Sequence, residues 1–151
     1  MKKMLAYMLV MLAVLVALSA CENGSVPSMV EQRYVAYLEA TKTDYQTAVE
    51  YTHFENIELK NVMADQILYT TEYDVVEWKQ LTDKLWVVKS IIANNLYPSG
   101  AEVNHFVGSI DGQYYVMLNV DEIPAELKAE LSLEEYKPTG EEYVNPKDVI
   151  Q

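Results

Sequence analysis

Several residue types are scarce in this chain, and each scarcity removes a class of function. Cysteine occurs once, at Cys21, which excludes an intrachain disulfide framework and a multi-cysteine zinc site. Histidine occurs twice, at His53 and His105; they lie far apart and neither has a second ligand at metal spacing, so the sequence offers no metal motif. Positive charge is also sparse, with 11 Lys and Arg against 23 Asp and Glu. A surface with that imbalance repels phosphate backbones, which makes nucleic acid a poor partner. The acidic excess contains no Asp-x-Asp-x-Asp-Gly calcium loop. Gly-x-Ser-x-Gly, P-loop and Gly-x-Gly-x-x-Gly patterns are missing too, leaving triad hydrolase and nucleotide-binding readings without support. No cofactor is implied.

What the chain does have begins at its start. Lys2 and Lys3 precede a continuous apolar run, Met4 to Leu18, too short for a spanning helix and suited to the central region of a secretory signal. The run ends on Leu18-Ser19-Ala20-Cys21. These four residues resemble the lipobox of bacterial lipoproteins. The resemblance implies a diacylglyceryl group on the Cys21 thiol, cleavage before Cys21, and a mature chain held to the outer face of the cytoplasmic membrane. Two acyl chains, at ~0.8 kcal/mol per buried CH₂, anchor a protein stably where one does not. Residues 1–20 are then the signal peptide, and 21–27 the lipidated cysteine with a polar tether. Loss of Lys2 and Lys3 leaves 9 basic against 23 acidic residues, a net charge near −14, so membrane contact is expected through the lipid and not through a basic patch.

The exported part is one domain's worth of chain. Ser28-Met29-Val30-Glu31 reads as a capping box, with Ser28 as N-cap. Val30, Tyr34, Tyr37, Leu38 and Thr41 follow at helical spacing, with Arg33 and Glu39 off that stripe. Thr43-Asp44 opens a second short helix ending near His53-Phe54, and residues 55–65 lean towards helix although Ile57-Glu58-Leu59 alternates like a strand. From Ile67 the composition turns to β, with strands expected over 67–79, 85–93, 102–110 and 114–120. Asp111-Gly112 is the strongest hairpin signal. Pro124 to Leu131 reads as a short helix, followed by an acidic, irregular tail over 132–151. Helices followed by consecutive strands predict an α+β domain over 28–131, with N-terminal helices packed on a bent four-stranded antiparallel sheet.

The opening helix pair, Met29 to Phe54, together with the hairpin Phe106 to Met117 and Ile123-Pro124-Ala125-Glu126-Leu127, resembles the cystatin-like cone typified by nuclear transport factor two. In particular it is similar to uncharacterised lipoproteins of Gram-positive bacteria. That fold hosts isomerases, dehydratases, ligand binders and association modules, so the resemblance leaves activity to be argued from a site. The candidates are His105, Tyr69, Tyr73 and Asp74. In the third strand Val103, His105 and Val107 share one face, which would aim His105 into the cone. A histidine in an apolar row is more often a core residue with one satisfied hydrogen bond. No catalytic constellation is present. The first expectation is therefore a non-enzymatic binding domain for a protein partner or small ligand; the alternative is an isomerase- or dehydratase-like enzyme using His105 and Asp74. The eleven tyrosines of the exported part, all but Tyr7 of the twelve, fit either a ligand cleft or ordinary sheet packing.

Overall fold

The computed structural model describes residues 26–65, 68–128 and 130–137. The leader, Cys21 and the end of the tail lie outside these residues. Among the described residues no helix is long and apolar enough to cross a membrane.

The chain is α+β. Helix α1 (Ser28–Thr43) is followed by α2 (Tyr45–Ala48), a 3-10 turn (Val49–Tyr51) and α3 (Ile57–Ala64). Strands β1 (Thr70–Gln80), β2 (Leu85–Asn94), β3 (Ala101–Ile110) and β4 (Gln113–Met117) form an antiparallel meander in the order β1-β2-β3-β4. A 3-10 turn (Val120–Glu122), α4 (Ala125–Lys128) and a final 3-10 turn (Glu134–Tyr136) complete it.

The helical stripe is where periodicity places it: Val30, Tyr34, Tyr37, Leu38 and Thr41 are all buried. The capping box is not formed. Pro27 is the N-cap, and its carbonyl accepts from the amides of Val30 at 2.9 Å and Glu31 at 3.2 Å. Ser28 is already helical and exposed. Proline is pre-organised for a helix start and has no amide to lose. A cap is worth about 1 kcal/mol, whereas each fully buried Val, Leu or aromatic contributes roughly 1.5–3 kcal/mol; packing therefore decides where α1 sits. Asp44 does cap α2, accepting from the Thr47 amide. The helical option for residues 55–65 holds, as α3.

The β3–β4 connection is the two-residue turn Asp111-Gly112, with φ of 50° and 79°. Both residues are left-handed, which matches the twist of the flanking strands. The fourth strand ends at Met117, three residues short of the expected Val120, because Asn119 caps a 3-10 turn through its side chain. Helix α4 is likewise shorter than expected.

Both faces of the sheet carry a core. On one, Trp86, Val88, Val107 and Val116 pack against Val30, Tyr34, Tyr37, Leu38 and Ala48. On the other, Leu85, Val87, Phe106 and Met117 meet Val120, Ile123, Leu127 and Leu133. The C-terminal segment thus covers part of the face turned away from the helices. Gly108 makes this possible, since a Cβ there would lie 2.8 Å from both Leu127 and Met117.

Candidate functional site

His105 is the only candidate in the core. Strand alternation turns it towards α1, and only 8 % of its surface is exposed. Its Nδ1 lies 2.9 Å from the Tyr34 hydroxyl, which is also 3.0 Å from Ser90 Oγ. One hydroxyl proton serves two neighbours, so Tyr34 donates to one and accepts from the other. The rings of Tyr34 and Tyr37 stand edge-on to the imidazole, each with its centroid 5.8 Å away. Burial holds the His105 pKa down to about 4, so the ring is neutral near pH 7. Burial also raises the pKa of Tyr34, opposed by its hydrogen bond to Ser90, and it raises that of Tyr37, with neighbouring Tyr45 and Tyr34 adding to the shift.

The other candidates do not join it. Asp74 pairs with Ile91 on β2 and is exposed. Its neighbours Tyr73 and Val75 pack on the helix side, so alternation puts Asp74 on the opposite face from His105. An acid–base pair between His105 and Asp74 is therefore not assembled. Tyr73 reaches the surface of α1, where its hydroxyl donates to Glu39 at 2.6 Å and Lys42 sits 4.6 Å from its ring centroid. That bond to Glu39 raises the Tyr73 pKa and, from the other side, lowers that of Glu39. Tyr69 stands just before β1, 46 % exposed, its backbone paired with Asn95. His53 faces Glu55 at 3.2 Å. Among the described residues no cluster of three His, Cys, Asp or Glu could hold a metal.

An open recess of about 160 Å³ lies on the face away from the helices, lined by Glu77, Lys79, Val87, Lys89, Asn104 and Tyr136. Both its amines are already engaged. Lys79 donates to the Tyr136 hydroxyl at 2.8 Å and lies 3.4 Å from Glu135, and Lys89 is 3.2 Å from Glu102.

Three residues matter here that sequence reasoning did not single out. Ser90 is fully buried as Tyr34's partner; a lone hydroxyl in the apolar run of β2 was its only signal. Glu122 is 5 % exposed and accepts from the Glu55 amide at 2.7 Å. Arg33 donates to the Tyr114 carbonyl at 2.6 Å. Nothing local in the sequence marks these last two contacts, which span 67 and 81 residues.

The fold defines a small α+β domain with a satisfied aromatic core. No family model matches the chain. Nor does any curated protein match it.

Proposed function

We propose that the protein is a lipid-anchored domain at the outer face of the cytoplasmic membrane, of the cystatin-like cone type, acting by binding and not by catalysis. The observation that carries this reading is the stretch Leu18-Ser19-Ala20-Cys21 at the end of an apolar run, with Cys21 the sole cysteine. The helices-first order and four-stranded antiparallel meander are what a cone-type domain requires. Tyr34, Tyr37 and His105 fill the space between helix and sheet, which favours contact through the surface over a ligand held inside. Tyr69, Leu96 and Tyr97 expose 43–46 % of their surface. They sit near the end of α1, where Thr41 bonds Thr70 and Asn95 bonds Tyr69. The tether would enter at the other end of α1, so these apolar side chains would face away from the bilayer, towards a protein partner.

The test is Cys21→Ala in cells fed labelled palmitate. The expected result is loss of label and release of the chain from the membrane fraction. Unchanged labelling and unchanged sedimentation would end the anchor reading.

A further inference from the structure

Arg33 is the only arginine in the protein, and its setting is unusual for a cation in so acidic a chain. It projects from α1 to the β4 edge, where Nε donates to the Tyr114 carbonyl at 2.6 Å. Its guanidinium carbon lies 4.9 Å from the Tyr51 ring centroid and 5.5 Å from that of Tyr115. Lys42, Lys79, Lys89 and Lys137 each have a carboxylate partner, but no ion pair among the described residues includes Arg33. Two aromatic faces and a carbonyl thus fix the orientation of the guanidinium, and among the described residues no carboxylate pairs with it.

A guanidinium carries five N–H donors in a rigid fork. The Tyr114 carbonyl uses the one on Nε. The four on the terminal nitrogens have no acceptor among the described residues, and they carry the spacing that meets two oxygens of a phosphate or carboxylate side by side. Arginine is weakly hydrated, so holding its guanidinium against aromatic rings costs little. The side chain is half-buried, not sealed. We propose that Arg33, clamped by Tyr51 and Tyr115, is the recognition group of a small oxyanion site that takes a phosphate. The phosphate can come from two sources, free in solution or carried on a phospholipid headgroup, and the chemistry of the contact is the same.

A single arginine makes the test clean. Full-length protein in a nonionic detergent, labelled with ¹⁵N-arginine, shows one Nε–Hε resonance. Titration with inorganic phosphate at constant ionic strength, balanced with chloride, is expected to move that resonance saturably. Half-saturation on the order of 1–10 mM fits a single charge-assisted contact. Soluble dihexanoyl phosphatidylglycerol is the second arm. Saturation with this lipid at lower concentration than with phosphate identifies the headgroup as the source, and the reverse order identifies the free anion. Arg33→Lys keeps the charge and removes the fork; it should weaken binding at least about fivefold, read by phosphorus NMR. A resonance unmoved by either ligand, or moved linearly and equally by chloride, overturns the proposal. So does a folded Arg33→Lys protein that binds as tightly as the parent. If that variant does not fold, the titration of the unaltered protein decides alone.

Discussion

Tyr34 and His105 face each other across the middle of the core, hydroxyl to Nδ1 at 2.9 Å, one on the first helix and the other on the third strand. Burial, not this contact, is what keeps the imidazole neutral. Among the described residues no carboxylate contacts either ring: the pair is surrounded by Tyr37, Trp78 and, through the Tyr34 hydroxyl, Ser90, so a proton added to the imidazole meets no counter-charge there.

That arrangement predicts acid sensitivity. In the unfolded chain a histidine titrates near 6.5, whereas in the fold burial lowers His105 to about 4. Between these values the unfolded state binds the proton and the native state does not. Stability therefore falls as the pH drops from about 6.5 to about 4, by roughly 3 kcal/mol in all, and this contribution is fully present only above that window. Urea midpoints across the window should slope in the parent protein and flatten in His105→Gln. Parallel slopes in the two would refute this account.

Removing the Tyr34 hydroxyl should be costly for the same reason. Tyr34→Phe leaves Ser90 Oγ and His105 Nδ1 buried without the partner they share, at about 1–3 kcal/mol. A Tyr34→Phe/Ser90→Ala double-mutant cycle in urea should give less than the sum of the two single losses, because both changes break one network. Strict additivity would show that the three groups do not act together.

Two glycine substitutions should fail for different reasons. Gly108→Ala puts a methyl group 2.8 Å from Leu127 and Met117 and 3.3 Å from Leu85. The clashing atoms are side-chain ends, so an overpacking cost of about 1–3 kcal/mol is expected. Faster proteolysis of the C-terminal segment should accompany it. At Gly112 nothing lies within 4 Å of an added Cβ, but φ is +79°. Gly112→Ala should therefore cost about 1–2 kcal/mol from backbone strain alone, with unchanged protease sensitivity at α4. Equal proteolysis profiles for the two variants would contradict this division.

On the outer face, Ile123 is fully buried against the sheet. Ile123→Ala should destabilise by about 2–5 kcal/mol, measured as the shift in the thermal midpoint. A loss below about 0.5 kcal/mol, the range of surface substitutions, would mean that the C-terminal segment is not part of the cooperative core.

The sequence made the helices-first order, the stripe of α1 and the Asp111-Gly112 turn readable, because each rests on local spacing or turn chemistry. It misled at Ser28, where the hydroxyl looked like a cap but the preceding proline and the buried stripe fix the helix start. It also placed His105 correctly on the inward row of β3, yet could not show that Asp74 points the other way. That depends on strand register, which shifts in β1 between Thr70 and Glu72 and again between Val75 and Glu77. The cover over the second sheet face was illegible for a similar reason. Ile123, Leu127 and Leu131 recur at helical spacing, but nothing local says that this segment and Leu133 close over the far face of the sheet.

The last strand carries one more consequence. Its outward carbonyls at Tyr114 and Val116 are taken, by Arg33 Nε and by the amide of His53, with Thr52 bridged to Val116. Among the described residues only β1 leaves its outer rim unclaimed. Copies pairing through their described strands would therefore meet β1 to β1, a contact that uses the open rim of both members.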